Sequence, residues 1–252
     1  MIILISPAKS LDFDTSVEIA EATQPRFAEK TEKLANALSR FSKPKLKAIM
    51  PVSDSLIALN HGRYKDFFAQ PEKQALFAYN GDVYTGLEAK TMDEAAIDFA
   101  QDHLRILSGL YGLLRPLDQI RPHRLEMGTR WAPRRKKLVD YWQDDIAPLI
   151  AKDAEDIGAK VIINLASQEY FAAVEAGKKA LALPIINIDF RQDGPDGPRF
   201  ISFAAKRARG TMARYICENR LTDPEALKDF DWDGYSYDPD SSDDTNLRFI
   251  RS

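Results

Sequence analysis

Cysteine is nearly absent: Cys217 stands alone in 252 residues, so neither an intramolecular disulfide nor a CxxC redox pair can form. A reducing cytoplasm is the expected compartment. His61, His103 and His123 have no second histidine at metal-ligand spacing, and no metal site is expected from them. No apolar run approaches the roughly 20 residues that a membrane span needs. The opening MIILISPAKS is too short in its apolar part, and lacks the basic region, for a signal peptide. Also missing are a Walker loop, a GxGxxG after a strand and a GxSxG elbow, so no nucleotide cofactor or activated serine is expected.

What is present is ordinary globular usage, 44% hydrophobic and 29% charged, which excludes general disorder. The formal net charge of -3 hides a division. From Arg105 to Lys137, nine cations face Asp118 and Glu126, a net of +7, whereas from Asp223 to Asp244 nine acids face Lys228, a net of -8. A basic middle is followed by an acidic segment, 223–245, in which DPDSSDD is polar enough to be partly mobile.

Ile2 to Ile5 reads as a buried strand, and the VIINL run from Val161 to Leu165 as another. Amphipathic spacing predicts helices over Arg26–Phe41, Lys43–Met50, Ser53–Phe67, Thr91–Leu104, Leu138–Ile157, Ser167–Gly177 and Ala204–Leu221. Leu76–Tyr79 and Val83–Tyr84 around Asn80-Gly81 predict a hairpin. Ile185–Phe190 and Arg199–Phe203 predict paired strands, and Asn246–Arg251 a last strand. Strands alternating with helices, without repeats or a linker, predict a mixed α/β (α+β) fold in a single compact domain over 1–252.

The helix AAKRARGTMARYI, Ala204 to Ile216, gathers Lys206, Arg207, Arg209 and Arg214 in one arc at about 100° per residue, with Gly210 in the middle of it. A glycine inside a helix costs about 1 kcal/mol relative to alanine. It serves either close approach of an anion or tight packing against another element. Cys217 falls on the same face, where cations could stabilise a thiolate or where it simply fills space. In the stretch SGLYGLLRPLDQIRPHRLEMGTR, Pro116 and Pro122 fix φ around Arg115, Arg121, Arg124 and Arg130, a stiff basic corner preorganised for an anion. NLASQEYF places Asn164, Ser167, Glu169 and Tyr170 where a buried strand becomes a helix, a position ligand sites favour.

Taken in order, ISPAKSLD (5–12), GDVYTGL (81–87), LSGLYGLLRPLD (107–118), RLEMG (124–128), NLASQEYF (164–171), ISFAAKRARGTMARYI (201–216) and GYSYDPDSS (234–242) closely resemble the YaaA family of bacterial peroxide-stress proteins. The resemblance implies a cytoplasmic protein of the hydrogen-peroxide response that limits iron-driven oxidative damage. It also implies DNA binding, a family-specific mixed α/β fold, a positively charged cleft and a helix-hairpin-helix element. KLKAIMPVSDSLIALN, Lys45 to Asn60, is similar to that element, with Lys43, Lys45 and Lys47 around it. Its turn lacks glycine, so the lysines and not the turn's backbone are expected to meet phosphate.

Two functions from different classes follow. In the first, Lys9, Arg115, Arg121, Arg124, Lys206, Arg207, Arg209 and Arg214, with the hairpin lysines, hold double-stranded DNA by its phosphates without reading sequence. In the second, Lys9, Asn164, Glu169, Lys206 and Arg209 form a pocket for a small phosphorylated or nucleotide-like anion, with Glu169 as general acid or base and Lys206 stabilising charge. No cofactor, metal or membrane partner is expected in either.

Overall fold

The apolar run at the start of the chain is the middle of a sheet: Ile2–Ile5 is fully buried, with parallel neighbours on both sides. A strand covered on both faces can be apolar throughout, and this one is. The computed structural model describes residues 1–17 and 21–251. Its seven-stranded sheet runs in the order 235–237, 246–251, 185–192, 162–164, 2–5, 104–108, 112–114. The five strands from 246–251 across to 104–108 are mutually parallel, and the two edge strands are antiparallel. This is the mixed α/β, single-domain architecture that the alternation predicts.

Ranked by chain position, the parallel strands lie in the order 2-1-3-4-5, beginning at 104–108. That is a doubly wound order, whose direction reverses between the first strand and 162–164, and ligands in such sheets bind outside the carboxyl ends at that reversal. Strand Ile185–Gln192 is longer than Ile162–Asn164 beside it and continues beyond Asn164, paired with Asn246–Arg251 and, at Gln192, bridged to Arg199. It forms a wall above the carboxyl end of its neighbour.

Three local expectations are corrected. Residues 76–84 are not a hairpin: Tyr79–Asn80 pairs with Ser10–Leu11, Gly81 is extended (φ 178°), and Asp82–Leu87 is helical. Val83 and Leu87, four residues apart, are buried there, and burying that pair overrides the turn preference of Asn-Gly. Residues 199–203 are not a strand: Arg199 makes a single bridge to Gln192, and a helix starts at Ser202. The helix expected over 138–157 is two, Leu138–Trp142 and Ile146–Asp156. Pro148 has no N–H to continue a helix and is accommodated only in a first turn, so the chain restarts just before it.

Helix Ser202–Glu218 packs against strands Ile2–Ile5 and Ile185–Gln192 and, most extensively, against helix Asp82–Leu87. Two glycines make that crossing close. A Cβ on Gly210 would lie 1.7 Å from the Val83 carbonyl oxygen, and one on Gly86 would lie 2.1 Å from that of Arg207. Gly210 therefore serves packing and not the approach of an anion. Cys217 is buried beneath the same helix, and desolvation pushes its thiol up to about 12, so it is a space-filling residue and no thiolate. Among the described residues, no helix is long and apolar enough to cross a membrane.

Candidate functional site

The chain folds so that the carboxyl end of the first strand opens into Ser6-Pro7-Ala8-Lys9, directly beside the turn that follows Asn164. Ser6 stitches the two together: the Ser167 N–H donates to Ser6 Oγ at 2.9 Å, and Ser6 Oγ donates to Ser167 Oγ at 3.3 Å. Ser167 occupies the N-cap of helix Gln168–Ala176 but its side chain makes no capping bond. Above this junction lies a cavity of about 890 Å³, lined among others by Ser6, Lys9, Asp82, Ser167, Glu169, Asp189, Arg191, Phe200, Lys206 and Arg209. It stands where the sheet order reverses.

A second recess, about 370 Å³, adjoins it, bounded by Ala48–Val52, Arg124, Glu126, Gly128, Arg130 and again Lys9 and Glu169. The two share Lys9 and Glu169, and together they form one groove lined by six cations (Lys9, Arg124, Arg130, Arg191, Lys206, Arg209) and four acids (Asp82, Glu126, Glu169, Asp189). Lys9, with its side chain 60% exposed, stands in the middle, 3.4 Å from Glu126, which also takes Arg124 at 2.8 Å. Glu169 accepts the Gly128 N–H at 3.0 Å, so one of its oxygens is already committed to the ridge between the recesses.

The charges on the large cavity's walls differ in how free they are. Asp189 is occupied by Arg191 at 2.9 Å and Arg248 at 3.0 Å. Lys206 and Asp82 face each other at 4.0 Å, both half-exposed. Arg209 has no ion pair among the described residues, and its Nε is buried without a hydrogen-bond partner. Burial lowers its pKa, against the pull of nearby Asp189. A guanidinium in that state has unused donor capacity beside the cavity that it helps to line.

The other expected residues divide into two sets. The hairpin lysines sit on helix Lys43–Ile49, whose turn into helix Asp54–Lys65 forms the rim of the smaller recess. Lys43 is exposed, Lys45 lies 4.0 Å over the Phe41 ring, and Lys47 is 2.5 Å from Asp54. Within the turn, the Val52 N–H donates to the Met50 carbonyl, so that part of the backbone is already used.

The second set lies away from the groove. Arg115 grips the fully buried Asp118 with its own N–H and its guanidinium, holding the Pro116 turn together. Arg121 pairs with Glu72 at 2.7 Å, and Arg105 is buried against Asp153. Asn164 is buried, its amide donating to Asn187 Oδ1 and its Oδ1 accepting the Ala166 N–H. Arg207 and Arg214 face a separate recess with Thr211, Trp232 and Asp233, where Arg207 lies 3.4 Å from Asp233 and Arg214 is held by Glu88 and Glu218. The basic arc of helix 202–218 is thus split, because helix Asp82–Leu87 lies across its middle. No residue of 223–245 lines the groove; Asp233 meets the opposite flank.

Ser6, Asp189, Arg191 and Phe200 line the cavity without having been singled out from sequence. For two of them a signal exists: in IINIDFRQ, Asn187, Asp189 and Arg191 alternate with apolar residues and so share one face of the strand. Among the described residues, no group of three His, Cys, Asp or Glu side chains could hold a metal ion.

Residues 1–241 match the family described as peroxide stress protein YaaA. A UPF0246 protein of Rhizorhabdus wittichii is 55% identical over 253 residues, covering 100% of both chains. UPF0246 proteins of Alteromonas mediterranea, at 47% identity, and Caulobacter vibrioides, at 44%, cover 100% of this chain and 98% and 99% of their own lengths.

Proposed function

Because the chain belongs to the family of the peroxide stress protein YaaA, we propose that it acts in peroxide stress by binding double-stranded DNA along the groove, and so limits iron-driven oxidative damage. Membership supports the peroxide-stress role. The observation that carries the DNA reading is the convergence of cations from distant parts of the chain, Lys9, Arg124, Arg130 and Lys206, on one groove, with the exposed Lys43 and Lys45 on the helix whose carboxyl end forms part of its rim.

Apart from Arg124 these side chains are exposed, and they come from two loops and two separate helices and not from one row along a single helix. Phosphate contact without sequence readout is the mode that suits them. The two helices Lys43–Ile49 and Asp54–Lys65 serve as the helix-hairpin-helix element, offering lysines in place of a glycine-rich turn. The link to iron is electrostatic. Each cation that meets a phosphate releases condensed counterions, and iron(II) held on DNA is among the cations displaced.

The test is anisotropy of a labelled random-sequence duplex titrated with the full-length protein across a range of salt. With three to six phosphates neutralised, the slope of log affinity against log salt is expected at about -3 to -5. A slope near zero, or no binding at low salt, rules the reading out.

A further inference from the structure

The larger cavity is more than a stretch of groove wall. It is large, it lies at the reversal of strand order, and it is lined by donors from helix Ser202–Glu218 and from the start of helix Gln168–Ala176. Duplex phosphates run along the outside of a helix and are met by exposed side chains, whereas Arg209 is largely withdrawn from solvent. A volume of about 890 Å³ is within the range of small-molecule sites and exceeds what a bare phosphate needs. Its walls are also of two kinds. The polar part includes Ser167, Lys206 and Arg209; the apolar part includes Phe200, a phenylalanine left 48% exposed with the Arg191 guanidinium 5.7 Å from its ring centre.

We propose that this cavity binds a mononucleotide, with the phosphate held by Lys206, Arg209 and the Ser6–Ser167 junction and the base laid against Phe200. The junction suits a phosphate because Ser167, Gln168 and Glu169, at the start of helix Gln168–Ala176, line the cavity, and the Ser167 hydroxyl, which accepts from Ser6, is not spent on capping. Lys206 is 4.0 Å from Asp82, too long for a tight pair, and can turn to a ligand. Asp189 does not repel the ligand strongly, since two guanidiniums already neutralise it. Phe200 offers the flat apolar face that a base needs, and aromatic stacking of this kind tolerates any base. The proposal shares Lys206 with the DNA reading, and the two are separated by Phe200 and by the lysines of helix Lys43–Ile49.

The test is isothermal titration of the full-length protein with each of the four ribonucleoside 5′-monophosphates, and with inorganic phosphate and adenosine as separate arms. At least one mononucleotide is expected to bind about tenfold tighter than either fragment, because it engages both walls. Lys206→Ala should weaken it about tenfold, the loss of one charge-assisted contact. Phe200→Ser should weaken the mononucleotide while leaving inorganic phosphate unchanged. Arg209→Gln should abolish binding; since Arg209 is largely buried, the half-exposed Lys206 carries the test if that variant does not fold. Lys43→Ala/Lys45→Ala, on helix Lys43–Ile49 and outside the cavity lining, should bind as wild type even where it loses duplex affinity. The proposal is overturned if no mononucleotide binds, if none exceeds inorganic phosphate, or if the rim variant loses as much as Lys206→Ala.

Discussion

His123 shows how much a single buried side chain fixes. It is enclosed beneath the groove, its Nδ1 2.7 Å from the Arg121 carbonyl oxygen, and desolvation lowers its pKa to about 4. The unfolded chain takes up that proton from about pH 6.5 downward, and the folded protein resists until about 4. Stability from this residue is therefore complete above pH 6.5 and is lost as the pH falls through that window, by about 2 kcal/mol at pH 5. His103, also lowered by burial, acts in the same direction. Urea unfolding at pH 7 and pH 5 should show this loss, and His123→Gln should lessen it; equal slopes would contradict the assignment. At Cys217 the expectation is inertness: the thiol should resist alkylation at pH 8 in the folded protein and react on unfolding. At this scale the sequence was only partly legible. Lys9, Arg124, Lys206 and Arg209 line the groove and Arg115 and Arg121 do not, because a composition count records charges and not the buried Asp118 or the distant Glu72 that hold them.

The helix crossing at Gly86 and Gly210 governs where the charges of helix Ser202–Glu218 point. On intrinsic propensity alone, Gly210→Ala would stabilise an exposed helix by about 1 kcal/mol. Here the added carbon would press on the Val83 carbonyl, a backbone atom that cannot swing aside. The substitution is expected to destabilise by about 3 kcal/mol or more, lowering Tm. An unchanged or raised Tm would mean that the face is open after all. Most of the long helices and the strands 2–5, 162–164 and 185–190 were readable from their apolar patterns, and the final strand 246–251 to the residue, whereas the buried strand 112–114 was not. Helix 82–87 was not, because Asn80-Gly81 carries a local turn signal that is overridden by Val83 and Leu87 packing on a helix more than a hundred residues away. That error had a cost for the site: without this helix, nothing in the sequence divides the basic arc into a groove flank and an outer flank.

Over the whole molecule, the net charge of -3 conceals a functional asymmetry, though not simply the one that charge runs suggest. Of the +7 segment, Arg105, Arg115 and Arg121 are tied into the fold, whereas Arg124 and Arg130 line the groove and Arg134 to Lys137 form an exposed turn before helix Leu138–Trp142. The acidic segment supplies the edge strand 235–237 and reaches helix Ser202–Glu218 at Arg207, on the far flank, and none of its residues lines the groove. The central claim is that one flank of helix Ser202–Glu218, with Lys9 and Arg130, meets DNA and the other does not. Its most direct test compares duplex affinity at low salt for Lys9→Ala/Arg130→Ala and for Arg207→Ala/Arg214→Ala, each confirmed to keep the wild-type Tm. The groove pair should lose at least about tenfold in affinity and about 1.8 in salt slope, while the outer pair stays close to wild type. Equal losses, or a larger loss from Arg207→Ala/Arg214→Ala, would contradict the account.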